Sequence, residues 1–225
     1  MTCTIAREDR DDGQIAVGRC TYYFGEPFVL YAPADRIEVG AYCSIAREVR
    51  ILGGGEHALD LPSTYPFRTV LTRWEEGEWD VFAKGPTQIG NDVWLGFGAT
   101  VLSGSRIGHG AVVAARAVVG GVEIPPYAIV AGNPGRVVAY RFDEATVARL
   151  LALRWWNWPD ERIAEMEPYF YAGVEAFLTE SEERFGSTNG PRDHSDRDHL
   201  RRIPRVAVSS SDRAAPHGRV AAGLR

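Results

Sequence analysis

Six consecutive hexapeptides, IGNDVW, LGFGAT, VLSGSR, IGHGAV, VAARAV and VGGVEI, run from Ile89 to Ile124. Each opens on a branched aliphatic: Ile89, Leu95, Val101, Ile107, Val113 and Val119. With such residues at a frequency of ~25%, six in a row arise by chance about once in four thousand. The second position carries Gly90, Gly96, Leu102, Gly108, Ala114 and Gly120, and the fifth carries Val93, Ala99, Ser105, Ala111 and Ala117. A period of six fits neither a helix nor the two-residue alternation of a strand. It fits short strands joined by turns in a β-solenoid, with aliphatic side chains inside and small residues at crowded corners.

The register extends in both directions. Val39-Gly40, Ile45-Ala46 and Ile51-Leu52 repeat it upstream, with Val17-Gly18 as a first rung. Downstream the phase slips by one residue at Val122 to Ile124, and the segment from Ile124 to Arg136, IPPYAIVAGNPGR, closes the solenoid. The expected organisation is an N-terminal extension (1–14), a solenoid (15–140) interrupted by a long loop (56–86), C-terminal helices (141–186) and a tail (187–225). The loop holds His57, Tyr65-Pro66-Phe67, Trp74 and Trp79, and aromatics of that number need a packing partner, such as a neighbouring subunit. After it, Asp143 is suited to N-cap a helix with Val147, Leu150, Leu151 and Trp155 on one face. Pro159 suits the first turn of a second helix with Ile163 and Met166 inward, and a third is expected from about Pro168 to Phe185. Trp155, Trp156 and Trp158 are expected to cap the open end of the solenoid.

Composition narrows the classes. Hydrophobic residues at 45% and charged residues at 24% of 225 are ordinary globular usage. The formal net charge of −5 argues against general nucleic-acid binding, which needs a clustered cationic face. The tail reads as disordered: eight arginines against four acidic residues give it +4, leaving −9 on residues 1–186. It is either a solvated extension or a weak electrostatic tether. Cys3, Cys20 and Cys43 form no disulfide framework, which fits a reducing cytosol. The charged N-terminus lacks a signal-peptide core, and no apolar run has the length of a membrane span.

His57 follows three glycines, Gly53 to Gly55, where the solenoid gives way to the loop. Glycines there admit close approach of a substrate, and imidazole is the natural general base for activating a hydroxyl near neutral pH. Cys43 and Ser44 fall on solenoid positions and read as small packed residues. His109 occupies a hexapeptide turn and reads as a surface residue. Two histidines in the solenoid region are too few for a catalytic zinc site, so no metal is expected.

The register, the closure IPPYAIVAGNPGRVV and several motifs in order resemble the hexapeptide-repeat acyltransferases. The motifs are Gly40-Ala-Tyr-Cys-Ser-Ile45, His57 followed by Ser63-Thr-Tyr-Pro-Phe67, Ile89-Gly-Asn-Asp-Val-Trp-Leu-Gly96, Arg141-Phe-Asp143 and Trp155-Trp-Asn-Trp-Pro159. They narrow the likeness, over about residues 15 to 172, to the xenobiotic acetyltransferases, which include streptogramin A and type B chloramphenicol acetyltransferases. The resemblance implies a left-handed parallel β-helix, a departure from the right-handed crossover rule. It also implies a homotrimer with active sites between subunits, acetyl-CoA as donor, and a small-molecule hydroxyl acceptor (antibiotic, natural product or sugar) without an acyl-enzyme. His57 falls on the family's catalytic histidine. Tyr22, Tyr23, Tyr65, Phe67 and Trp74 fall on the acceptor side. Trp94, Phe97, Ala114, Ala115, Gly120, Gly121, Asn133 and Arg136 fall on or near coenzyme contacts. Gly120-Gly121-Val122-Glu123 replaces a segment that in family members often bears a lysine, with one residue more, and the stretch from His57 to Ser63 is also one residue longer. The same solenoid also admits an N-acyltransferase of an amino sugar or a non-catalytic trimeric CoA-binding scaffold.

Overall fold

The computed structural model describes residues 3–71 and 80–186. Short parallel strands stack into three sheets that form the sides of a triangular prism, and the chain coils around it as a left-handed parallel β-helix. One full coil takes 18 residues: Ile89 lies beside Ile107, Leu95 beside Val113 and Val101 beside Val119. At the phase slip the coil shortens to 17, pairing Ile107 with Ile124 and Val113 with Val130.

The hexapeptide positions now have physical assignments. First and fifth positions point inward and make the core, from Ile45, Leu95 and Val113 to Val93, Ala99, Ser105, Ala111 and Ala117. Fourth positions turn the corners in the left-handed region: Cys20, Tyr42, Glu48, Asp92, Gly98, Gly104, Gly110, Arg116 and Tyr127 have φ between 57° and 72°. Second-position glycines have another cause. A Cβ on Gly108 would lie 2.5 Å from the backbone nitrogen of Pro126 in the next coil, and one on Gly90 2.7 Å from that of His109.

The three faces differ outside. An apolar face presents Tyr22, Ser44, Trp94, Val112 and Ile129. A polar face presents Glu38, Gln88, Arg106 and Glu123. The third carries Arg50, Thr100 and Val118. Antiparallel strands close the ends: Cys3–Ile5 pairs with Tyr22–Phe24, and Arg136–Tyr140 with Ala128–Ala131.

A long arm leaves the third face after Leu52 and returns to the polar face at Thr87. It contains a two-stranded ribbon, Glu56–His57 with Val81–Phe82, and a short helix α1 (Phe67–Leu71). The Asp80 carboxylate accepts the backbone N–H groups of Arg68 and Thr69 at 2.6 and 3.0 Å, anchoring the start of α1.

Three helices follow the solenoid: α2 (Glu144–Leu153), α3 (Asp160–Phe170) and α4 (Val174–Phe185). Asp143 caps α2 by accepting from the Thr146 N–H at 2.8 Å. Pro168 lies inside α3, and the third helix begins at Val174 rather than near Pro168, because Gly173 at φ 101° breaks the chain between them. The tryptophans do not cap the end of the solenoid. Trp155 packs on Tyr42 and Trp156 stacks on His109, with ring centroids 5.0 and 4.8 Å apart, while Trp158 packs between helices on Phe177 and Phe185. The helical layer therefore straps the edge between the polar and apolar faces. It touches one corner residue from each of five coils: Arg19 pairs with Asp160, Asp92 with Arg141 at 3.1 Å, Tyr127 meets Phe142 at 5.8 Å, and Tyr42 and His109 meet the tryptophans.

Candidate active site

His57 is half-buried in the arm ribbon, opposite Val81. Its Nδ1 lies 2.8 Å from the Thr64 carbonyl oxygen. A carbonyl only accepts, so Nδ1 carries the hydrogen and donates it, and Nε2 keeps its lone pair. That is the tautomer of a general base. The glycines before it are sterically required. A Cβ on Gly54 would press into the Asp35 carboxylate, and Gly55, at φ 91°, would press its Cβ to 2.6 Å from the Tyr31 ring. Asp35 closes its own turn by accepting the Tyr31 and Ala32 N–H groups at 2.7 and 3.0 Å, which fixes the carboxylate against Gly54.

A second cluster fixes the ribbon from its other side, which composition alone did not reveal. The chain has a single lysine, Lys84. Its Nζ lies 2.9 Å from Glu56, the residue before His57, and the Ser103 hydroxyl of the solenoid donates to the same carboxylate at 3.5 Å. The ribbon is thereby fastened to the corner from which it springs.

The coenzyme candidates fall into separate places. Trp94, Phe97, Ala114 and Ala115 line one open groove of about 810 Å³ that crosses the apolar face, from Asp92 and Arg141 at its edge with the polar face to Phe97 and Ala115 at its edge with the third face. Trp94 is 55% exposed, and Arg116 stacks on the Phe97 ring at 4.9 Å. Asn133 and Arg136 lie at the same edge, on the last coil, where the Gly135 N–H reaches the Val118 carbonyl. Gly120 and Gly121 lie at the edge that carries the arm: a Cβ on Gly121 would contact the Lys84 side chain.

Among the acceptor candidates, Tyr22 is exposed on the apolar face, whereas Tyr23 is 6% exposed and packs inward on Phe28 at 5.2 Å. Adjacent strand residues face opposite sides, so the pair cannot line one surface together. Tyr65 and Phe67 are exposed and touch each other, with ring centroids 4.8 Å apart. Trp74 lies outside the described residues.

His109 and Cys43 both lie in the interior. His109 is buried, not a surface residue: its Nδ1 accepts the Asn91 N–H at 2.8 Å beneath Trp156, so it stitches adjacent coils. Cys43 is a packed core residue whose thiol burial pushes up to about 12, leaving it without thiolate chemistry.

The sequence matches known acetyltransferases. The family model for the bacterial transferase hexapeptide (six repeats) matches residues 86–121. The chain is 35% identical over 179 residues to a chloramphenicol acetyltransferase of Agrobacterium fabrum, covering 73% of this chain and 85% of that one. It is 39% identical over 172 residues to a virginiamycin A acetyltransferase of Staphylococcus aureus, covering 71% and 78%. A probable macrolide acetyltransferase of Lysinibacillus sphaericus is 41% identical over 134 residues, 57% of this chain and 73% of that one. The chain is an acyltransferase of the hexapeptide-repeat class, and within that class it belongs to the xenobiotic acetyltransferases.

Proposed function

We propose that this protein is a cytosolic enzyme that moves the acetyl group of acetyl-CoA onto a hydroxyl of a small molecule, with His57 as general base. The observation that carries this reading is the bond from Nδ1 to the Thr64 carbonyl, which leaves Nε2 as the basic nitrogen. Nε2 takes the proton of the acceptor hydroxyl, and the oxygen attacks the thioester carbonyl. The carbon–sulfur bond then breaks and coenzyme A leaves as thiolate, receiving the proton from His57. Backbone N–H groups stabilise the oxyanion.

The prism geometry supports an assembly. The arm bearing His57 springs from the edge between the third and polar faces, and in a triangular prism that edge lies opposite the apolar face with its groove. One chain holds base and groove on opposite sides; a neighbouring copy brings them together. The reading is therefore a homotrimer in which the groove of one copy holds the pantetheine arm against small residues, near His57 of the next. Tyr22, Tyr65 and Phe67 wall the acceptor, and the names of the relatives make a hydroxylated antibiotic the first acceptor to try. The test is thiol release from acetyl-CoA across chloramphenicol, streptogramin A compounds and simple sugars. Wild-type release with one acceptor should fall about 10²- to 10⁴-fold in His57→Ala at unchanged melting temperature. Near-normal turnover by that variant refutes the base assignment.

A further inference from the structure

Glu56 and His57 sit side by side on a ribbon of two residue pairs, Glu56 opposite Phe82 and His57 opposite Val81. A two-stranded ribbon that short does not hold its own position in water, so its register is set by what ties it down. Its second strand is tied at both ends. At one end the Asp80 carboxylate accepts from Arg68 and Thr69, and the Asp80 N–H donates to the Thr69 hydroxyl at 3.1 Å. At the other end Lys84 binds twice: its Nζ lies 2.9 Å from the Glu56 carboxylate, and its N–H donates to the Ser103 hydroxyl at 3.4 Å. Ser103 is fully buried in the solenoid corner, and its hydroxyl donates in turn to Glu56 at 3.5 Å. Glycines leave room for the lysine stem on that corner. A Cβ on Gly104 would lie 2.8 Å from the Lys84 Cβ, and one on Gly121 3.6 Å from its Cδ.

Adjacent strand residues face opposite sides. With the Glu56 carboxylate drawn to the corner, His57 is turned away from it, and a slip of the ribbon by one residue would exchange the two. The Lys84 side chain is 53% exposed and that of Glu56 25%, and ion pairs so placed add little to stability. The consequence of this pair is direction. We propose that Lys84 is a positioning residue for the reaction: through Glu56 it fixes the ribbon so that His57 keeps its Nδ1–H on the Thr64 carbonyl and presents Nε2 away from the solenoid corner. The proposal rests on the reading of His57 as general base.

Nitrogen-15 NMR of the histidine rings in the full chain, at about pH 8.5 where imidazole is neutral, reads this geometry without an acceptor. The His57 signals are those missing from His57→Gln. In wild type they should show one tautomer, with the hydrogen on Nδ1. In Lys84→Met and Glu56→Gln they should move towards a mixture of both tautomers at unchanged melting temperature, while Lys84→Arg, which keeps the cation, retains the wild-type pattern. The double variant Lys84→Met/Glu56→Gln should match the single ones, because all three break the same tie. With the acceptor that releases thiol in the assay above, Lys84→Met should lower kcat about ten-fold or more at unchanged KM for acetyl-CoA. A wild-type tautomer pattern in Lys84→Met, or an unchanged kcat, overturns the proposal; should that variant not fold, Glu56→Gln decides by the same two readouts. Near-normal turnover by His57→Ala removes the base assignment and this proposal together, whereas an inactive His57→Ala beside a fully active Lys84→Met removes the positioning role alone.

Discussion

The polar and apolar faces are built from the same repeat and stacked on the same core, yet they finish differently. On the polar face, Arg36 bonds Glu38 at 2.8 Å and Gln88 donates to the same carboxylate at 2.7 Å, so side chains of successive coils satisfy one another. On the apolar face, Trp94 and Tyr22 stand exposed in the sheet that holds Val112 and Ile129, and among the described residues no such ladder joins them. A solvated sheet spends its outward positions on polar groups; an outward stripe of aromatics and aliphatics marks a surface made to be covered. The repeat decides the fold, and the sixth position of each hexapeptide decides what each face meets.

The largest expected effect lies within one strand of the apolar face. Leu95 is 0% exposed and Trp94 55%. Leu95→Ala should destabilise the chain by about 2–5 kcal/mol in chemical denaturation. Trp94→Ala should leave the monomer's stability nearly unchanged and weaken assembly or donor binding, read by sedimentation and by the KM for acetyl-CoA. If both variants lose equal stability, the apolar face is ordinary core. Next comes the edge that the two faces share: Gly108→Ala drives its Cβ into the Pro126 backbone and should cost about 1–3 kcal/mol, where an unaffected melting curve would show that the coils can spread.

The smallest effect is on the polar face. Burial pushes the Glu38 carboxyl up, but bonds from Gln88 and Arg36 outweigh it and hold the group below its usual value. It therefore contributes stability above the ordinary carboxylate range, and that contribution fades as pH falls through the lowered folded value. Glu38→Gln should cost no more than about 1 kcal/mol at neutral pH and should lose less stability than wild type on acidification below about pH 4.5. An identical acid profile would show that the ladder adds nothing.

The solenoid was legible because its period belongs to one architecture, and the slip near Val122 is the 17-residue coil of the fold. The left-handed corners were less legible: Asp92, Tyr42 and Tyr127, on which the helical layer packs, adopt φ near 58° where glycine is expected, and Glu48 and Arg116 do the same at another edge of the prism, with φ of 63° and 62°. That packing is long-range, so neither the side-strapping tryptophans nor the burial of His109 had a local signature. At the site, the position of His57 was readable from Gly53 to Gly55, but its tautomer depends on the Thr64 carbonyl, a backbone atom without sequence identity. Lys84 had a signal, its uniqueness, and only the Glu56 contact gives that a meaning.

The most direct test of an active site shared between copies mixes two inactive proteins. Co-expressed His57→Ala chains, which lack the base, and Ala115→Tyr chains, which fill the groove, should each be inactive alone. If base and groove come from neighbouring copies, random trimers place an intact pair at about one site in four, and roughly a quarter of wild-type activity returns. If the mixture stays as inactive as its components, base and groove act within one chain and the account is wrong.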